Sequence, residues 1–301
     1  MPDWDPKELI VEWAEQHDGE LVEVRTVPAR EPLFGEVDVD PFIASRLLDR
    51  GIERFYLHQA QAIAAIREGR HTVLAVGTAS GKSLAFQVPI MEMLHNDSRR
   101  SALLLYPTKA LAQDQARSLR SFRIPTISAS IYDGDTPTEQ RSEMRRRSNV
   151  VLTNPDMLHV GILPFHDRWS DFLHRLEFVV VDEVHNLRGV FGTHVAFILR
   201  RLRRLCQHYG SDPTFILASA TIGNAAELAS NLTGLDVEPI AADYSPAGER
   251  TFALWNPGLL DADLGQRRSA LSDATSVFAH LVSKDRKTIA FARGRKTNEL
   301  M

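Results

Sequence analysis

Cysteine is almost absent. Cys206 is the single one in 301 residues, so neither an internal disulfide nor a cysteine-built zinc site can form within the chain. It stands in an apolar and basic helical stretch, where a buried structural thiol is expected. Excess positive charge is missing as well. Lys and Arg number 35 against 39 Asp and Glu, a formal net charge of −4, so a nucleic-acid surface would have to come from local Arg clusters. No apolar run reaches the length that spans a bilayer. The opening Met1-Pro2-Asp3-Trp4-Asp5-Pro6 lacks the basic and apolar regions of a secretory signal, and a cytoplasmic protein without membrane contact is the expectation. Low-complexity tracts and internal repeats are also missing. What remains is 44% hydrophobic and 25% charged, the balance of a globular chain long enough for one large domain or two ordinary ones.

The most informative stretch runs from Val73 to Ser83. The apolar Val73-Leu74-Ala75-Val76 leads into Gly77-Thr78-Ala79-Ser80-Gly81-Lys82-Ser83, and Leu84-Ala85-Phe86-Gln87-Val88 reads as the first turns of a helix. Strand, tight Gly-containing loop and helix N-terminus make a phosphate cradle, with backbone N–H groups and the positive end of the helix dipole facing an anion. Lys82 would reach the β and γ phosphates of a nucleotide, and the Ser83 hydroxyl would hold Mg²⁺. The strict P-loop pattern places Gly six residues before the Lys, and Val76 stands there. A bare Gly-Lys-Ser is usually only a turn; the flanking strand and helix raise this one to a nucleotide site.

Upstream, Pro6 and the spacing of Leu9, Ile10 and Trp13 predict a helix over 6–17. Glu20 to Val39 reads as a strand and then an extended linker broken by Pro28 and Pro32. Helices are predicted from Asp40-Pro41, with Phe42, Ile43, Leu47 and Leu48 on one face, and from His58 to Glu68, with Ala60, Ile63, Ala64 and Ile66 inward. After the cradle, strands and helices alternate. Ala102–Tyr106, Pro125–Ile131, Val150–Thr153, Phe178–Val181 and Thr214–Ala218 read as strands, with helices over Lys109–Phe122 and Thr138–Arg147. Near-continuous apolar strands alternating with helices predict an α/β domain over 40–240, a mostly parallel sheet covered on both faces. Ligands of such sheets lie at the carboxyl ends of the strands, where Lys82, Thr108, Thr153, Asp182 and Ser219 fall. Residues 1–39 read as an N-terminal extension. Over 241–301 a linker precedes a strand at Thr251–Trp255, a helix at Leu271–Val282, a strand at Thr288–Phe291 and a helix from Arg293, the opening of a second α/β domain.

Asp182-Glu183-Val184-His185 follows Phe178-Val179-Val180-Val181 directly. Beside a phosphate cradle, an acidic pair at a strand end suits Mg-dependent phosphoryl transfer: Asp182 would hold the metal and Glu183 would deprotonate the attacking water. An isolated Asp-Glu would be a solvated turn. Here the chain resembles the first motor domain of a superfamily 2 helicase of the DEAD/DEAH (DExH) type, built on a RecA-like fold. Tyr56-Leu57-His58-Gln59 resembles the adenine-reading glutamine motif, with Gln59 as base contact. Gly77–Ser83 resembles motif I, Pro107-Thr108-Lys109-Ala110-Leu111 motif Ia, Asp182–His185 motif II and Ser219-Ala220-Thr221 motif III. The resemblance implies ATP and Mg²⁺ as cofactors, with Lys82, Asp182, Glu183 and His185 catalytic, and Ser219 and Thr221 coupling hydrolysis to strand movement. It also implies that Gly134-Asp135 and Thr153-Asn154, with Pro107, Thr108 and Lys109, grip a nucleic-acid backbone. Glu183 to His194 and Pro246 to Thr251 resemble one bacterial and fungal group of 3′-to-5′ DNA helicases. Its members are linked to DNA repair and usually carry a C-terminal cysteine-rich metal-binding domain, which places DNA ahead of RNA as partner. No such cysteines exist here, and the region of Arg293 and Arg295 corresponds at best to the start of a second motor domain. The chain therefore looks like the front of a longer protein, expected to bind nucleotide and hydrolyse it slowly.

The densest basic clusters, Arg145-Arg146-Arg147 and Arg200-Arg201-Leu202-Arg203-Arg204, fit phosphate neutralisation and a solvated helix face equally well. His58, His159, His166, His174, His194 and His208 lack metal-ligand spacing and read as ordinary polar or capping residues. Two rival functions remain from the sequence: a nucleotide-dependent switch that never touches nucleic acid, and a truncated motor kept for its interactions.

Overall fold

A strand buried on both faces has no polar side to show, so the apolar runs between helices assemble into a covered parallel sheet. The computed structural model describes residues 5–261, 263–292 and 294, and divides into two units, 31–246 and the two terminal segments joined. Helix α1 (Pro6–Glu15) and strand β1 (Gly19–Val27) belong to the smaller unit. The larger unit opens with β2 (Phe34–Gly35), α2 (Pro41–Leu48), β3 (Phe55–Tyr56) and α3 (Leu57–Arg67). It continues through β4 (Thr72–Ala75), α4 (Lys82–Asn96), β5 (Ser101–Leu105), α5 (Lys109–Ser121), β6 (Ala129–Ile131), α6 (Thr138–Arg147) and β7 (Val150–Thr153). A helical stretch from α7 (Pro155–Met157) to α8 (Ser170–His174) follows, then β8 (Leu176–Val181), α9 (Gly189–Tyr209), β9 (Thr214–Ser219), α10 (Ala225–Thr233) and β10 (Glu238–Ile240).

Seven strands pair in the order β10-β4-β9-β8-β5-β7-β6, every pairing parallel. The two-residue period of the strands sorts their side chains cleanly. Leu103, Val151, Val179, Val181 and Leu217 pack with α9 and α10, while Leu74, Leu104, Leu152, Val180 and Ile216 pack with α3, α4 and α5. Cys206 lies fully buried on α9, where burial pushes its thiol up to about 11, as a structural thiol requires. Register places Ala75 opposite Ser219, Val181 opposite Leu217, and Leu105 opposite both Val181 and Thr153. The segments leaving these strands therefore start from one edge of the sheet.

Three local expectations change. Ala62 and Ala65 of α3 are buried while Ala64 is exposed, because α3 is covered on two sides: Ala62 and Ile66 face the sheet, and Ile63 joins a cluster with Ile43 and Leu47. Leu48 points outward, 58% exposed. Thr288–Phe291 forms no strand, and Ile289 and Phe291 are exposed; among the described residues no strand pairs with this segment, and an extended chain without a partner leaves its backbone to water. Residues Arg293 and 295–301 lie outside the described ones.

In the smaller unit β1 pairs antiparallel with β11 (Arg250–Pro257), accompanied by the short strands β12 (Leu259–Asp261) and β13 (Gln266–Arg267) and by α11 (Ala270–Ser283). Buried Trp13 meets Trp255 edge-on at 4.8 Å, and the Trp255 indole donates to buried Asp273 at 2.7 Å. Strands from the N-terminal extension and from the segment after 241, separate in the sequence reading, thus join in one ribbon, while 31–39 and 241–246 fall in the larger unit. Among the described residues no helix is long and apolar enough to cross a membrane.

Leu104→Ala, at a fully buried position of the central sheet, should cost about 2–5 kcal/mol in urea denaturation, whereas Leu48→Ala should stay within about 0.5 kcal/mol. Equal losses would contradict the packing described.

Candidate nucleotide-binding and hydrolysis site

The chain turns from β4 into α4 within six residues, Val76–Gly81, and this tightness needs left-handed backbone at Ala79 (φ +61°) and Gly81 (φ +76°). At Gly81 glycine is needed twice over, since a Cβ would sit 2.4 Å from Gln59 Nε2. Val76, where the strict motif has glycine, is fully buried and extends the apolar run of β4. Lys82 Nζ donates to the carbonyls of Val76 (3.1 Å) and Gly77 (2.9 Å), and Ser80 Oγ donates to Gly77 O (2.7 Å). Thr78, Ala79 and Gly81 are exposed along the loop, and the N-terminal turn of α4 begins at Lys82 and Ser83. This is an anion cradle with a cation at its rim. Ser83 Oγ accepts from Gln115 Nε2 (3.0 Å), and Gln115 is itself held by Gln87 (2.9 Å), two residues without a local motif to mark them. The Ser83 hydroxyl keeps a lone pair and its proton for a metal or phosphate.

Beside the cradle runs a groove of about 580 Å³ lined by Phe34, Arg54, Tyr56, Gln59, Gly81 and Leu84 among others. Gln59 is clamped at both ends, accepting from Tyr56 N (2.8 Å) and donating to Gly81 O (3.0 Å). One amide N–H and one lone pair stay available to a base edge. Phe34 and Tyr56 stack at 5.5 Å, and the Arg54 guanidinium lies 3.7 Å from the centre of the Phe34 ring. These flat faces have the shape for a purine next to its phosphates. Phe34 and Arg54 come from β2 and the approach to β3, and nothing in their spacing marked them.

At the end of β8 the backbone is strained, with Glu183 in the left-handed region (φ +55°). Its N–H turns back to donate to Asp182 Oδ1 (2.8 Å). Asp182 is only 8% exposed, and burial raises its carboxyl from 3.8 to about 6 against the opposing pull of the Glu183 N–H and of Lys82. A carboxylate that is costly to charge when bare suits a site for a divalent cation. Ser219, opposite Ala75 and fully buried, has a hydroxyl with no hydrogen-bond partner among the described residues, a second group that a bound ligand or water could satisfy. Asp182 and Ser83 thus fit a hard cation such as Mg²⁺ by chemistry. His185 Nδ1 accepts from Ala220 N (3.1 Å), so its proton sits on Nε2, 3.2 Å from Glu183 Oε2. One imidazole joins the acidic pair to Ser219-Ala220-Thr221; the Thr221 side of that segment is exposed.

His58 departs from the sequence reading. It is fully buried: Nδ1 accepts from Tyr244 N (3.2 Å), and Nε2 therefore donates to Ser80 O in the cradle (3.0 Å). Next to it Asp243 Oδ2 accepts from Gly77 N (3.2 Å), while Oδ1 holds Ser245 N (2.9 Å) and Oγ (2.7 Å). The segment after β10 is therefore fastened to the cradle at two points.

The residues expected to grip a backbone also start from this edge. Thr108, Lys109, Gly134 and Asp135 are exposed and Pro107 is half-buried, and Lys109 pairs with Asp135. Thr108 Oγ1 caps α5 through Leu111 N (3.3 Å), and Asn154 Oδ1 caps α7 through Met157 N (2.7 Å). Thr153 is buried and its hydroxyl donates to Tyr132 O (2.6 Å), which fixes the loop after β6.

Because burial raises Asp182, the folded chain holds a proton that the unfolded chain lacks between pH 3.8 and about 6, and the stability this contributes is lost as pH rises through about 6. In EDTA at pH 7.5, Asp182→Asn should accordingly be more stable than the parent by on the order of 2 kcal/mol, the difference vanishing near pH 4; identical denaturation curves at both values would refute this. Asp243→Ala should weaken binding of a fluorescent ATP analogue by about tenfold, through loss of one charge-assisted hydrogen bond to the cradle; unchanged affinity would make the contact incidental.

Residues 56–228 match the DEAD/DEAH box helicase family. The chain is 39% identical over 297 residues to the uncharacterized ATP-dependent helicase YprA of Bacillus subtilis, a match covering 98% of this chain and 38% of that protein. It is 39% identical over 310 residues to the ATP-dependent helicase Hrq1 of Schizosaccharomyces pombe, covering 97% of this chain and 29% of that one. A crystal structure of the DUF1998 helicase MrfA bound to DNA and AMPPNP superposes with a TM-score of 0.90 at 37% identity, over 99% of this chain and 42% of that one. The chain spans less than half the length of each. With more than half of its residues matched and a RecA-like sheet carrying the expected motifs at its carboxyl edge, it belongs to the DEAD/DEAH box helicase family.

Proposed function

We propose that this chain is the ATP-hydrolysing motor portion of a helicase or translocase acting on nucleic acid, with DNA ahead of RNA as the strand. The observation that carries the reading is the continuous contact Glu183–His185–Ala220, which joins an acidic pair beside a phosphate cradle to the segment after β9. MgATP, when bound, supplies the phosphoanhydride to be cleaved and the metal charge that neutralises its oxygens. The chain's own residues do the rest. N–H groups of the loop and the first turn of α4 bind phosphate oxygens, and Lys82 exchanges the carbonyls of Val76 and Gly77 for the β and γ phosphates. Ser83 and Asp182 would hold the metal. Glu183, oriented by its strained backbone and by His185, takes the proton of the attacking water.

His185 passes a change at Glu183 to Ala220, and through Ser219 and Thr221 to the loops of the same sheet edge. Exposed Thr108, Lys109 and Gly134 and half-buried Asn154 supply polar groups there, and a strand lying across them would be gripped by its backbone, without regard to sequence. DNA is favoured by the runs 183–194 and 246–251 and by the similarity to MrfA, whose structure holds DNA. DNA repair is the process these runs suggest.

Glu183→Gln should bind a fluorescent ATP analogue like the parent while its strand-stimulated turnover falls by about 10²–10⁴-fold; Lys82→Ala should lose the binding itself. Turnover retained by Glu183→Gln would remove that residue from the mechanism.

A further inference from the structure

A cavity of about 380 Å³ lies between α6 and the helical stretch after Asn154, apart from the nucleotide groove. Helix α6 buries none of its residues, so its Thr138, Arg141 and Arg145 face, spaced by three and four, is free to line this opening. The floor is aromatic: Tyr132 and Trp169 are buried and meet edge-on at 4.9 Å. Arg141 is fixed there, its Nε donating to Thr136 O (3.1 Å) and its guanidinium 5.4 Å from the Tyr132 ring centre. On the opposite wall the helical path breaks at Phe165 (φ −114°, ψ 33°), which leaves that ring 45% exposed with Arg168 5.3 Å from its centre.

Among the described residues no carboxylate lines the cavity, and neither Arg145 nor Arg168 forms an ion pair. The other basic cluster differs. Arg200 donates to Asn231 O (3.1 Å) and Arg203 to Thr233 O (3.0 Å) and Gly234 O (3.2 Å) at the end of α10, and Arg201 contacts His159, so these arginines are tied to the fold. The Arg168 guanidinium beside the exposed Phe165 ring, with Arg145 lining the same cavity, matches the two halves of a nucleotide, a phosphate and a flat base. The opening also has the volume of a small-ligand site. It is continuous with the proposed strand path, because Tyr132, at its floor, accepts through its carbonyl from Thr153 and directly precedes Asp133-Gly134.

We infer that this cavity seats one nucleotide of the bound single strand, its phosphate on Arg145 and Arg168 and its base on Phe165. The inference rests on the nucleic-acid reading above and adds a holding point beyond the strand-end motifs. A nucleotide held here would resist slippage while the contacts at Thr108 and Gly134 change.

The test is fluorescence anisotropy of a labelled oligo(dT) against the full chain across a KCl series, with binding of a fluorescent ATP analogue as the check of folding. Arg145→Glu and Arg168→Glu should each weaken strand binding by about tenfold at low salt and reduce the salt slope by about 0.7, the share of one phosphate on a single strand. Arg204→Glu makes the same charge change on an exposed part of α9 and should leave both readings within about twofold. An oligonucleotide with an abasic tract should bind the parent about fivefold or more less tightly than oligo(dT), and Phe165→Ala should bind the two alike. Equal losses in Arg204→Glu would reduce the effect to overall charge and overturn the pocket. Unchanged strand binding in the Arg145, Arg168 and Phe165 variants would overturn it too, leaving the cavity to an acidic protein or to nothing. A parent chain that binds no strand at all would overturn the nucleic-acid reading itself, an outcome distinct from strand binding that survives every pocket variant.

Discussion

Parallel pairing is the constraint from which the site descends. A parallel ladder needs a crossover after every strand, and each crossover must leave from the same edge. In this sheet Leu105, Thr153 and Val181 end level, and Ala75 and Ser219 end level with each other two residues further on, so loops distant in sequence are delivered to one edge without any contact having to draw them together. Both faces of the sheet are sealed by helices, and polar groups have only this edge at which to meet a ligand. The apolar alternation that makes the core thus also sets the spacing between Lys82 and Asp182.

At that edge the chain holds arrangements that work against its own stability. Asp182 is buried deeply enough to resist charging, Glu183 is held in a left-handed conformation that non-glycine residues avoid, and the Ser219 hydroxyl has no partner among the described residues. Each feature by itself would be a defect. Together, around a phosphate cradle, they are terms that a bound cation and nucleotide would satisfy, so the binding energy of the ligand is increased by what the bare fold leaves unsatisfied.

How much could be read from the residues follows from the range of the interactions. The strands buried on both faces announced themselves as apolar runs, and the cradle and the acidic pair sat within a few residues of those runs. The pairing of β1 with β11 could not be seen, because the partners are separated by the whole larger unit and a strand records which face it buries, not which strand lies beside it. Phe34 and Arg54 were hidden for the same reason: they meet only through the small β2–β3 pair. Thr288–Phe291 shows the converse, an apolar pattern that suits a strand and has no partner among the described residues to make it one. His58 is the most instructive. In sequence it is one histidine among eleven, and its role comes from the carbonyl of Ser80 on one side and the N–H of Tyr244 on the other.

That histidine, with Asp243, bears on how a nucleotide could act beyond its own loop. Gly77 is held on both sides of its peptide: its N–H by Asp243, its carbonyl by Lys82 and Ser80. If Lys82 leaves that carbonyl for a phosphate, Gly77 loses one of its anchors while the Asp243 and His58 contacts remain, and any shift of the loop is transmitted to residues 243–245. These are fixed in turn by the Asp243–Ser245 turn, so they move as a short rigid piece. His185 does the corresponding work on the other side of the cradle, tying Glu183 to Ala220. Two imidazoles, each accepting at Nδ1 from a backbone N–H and turning Nε2 toward Ser80 O in one case and Glu183 Oε2 in the other, therefore connect the cradle and the acidic pair to separate segments. Neutral imidazole suits this because it accepts at one nitrogen while donating at the other, and protonation would abolish the acceptor on which both connections depend.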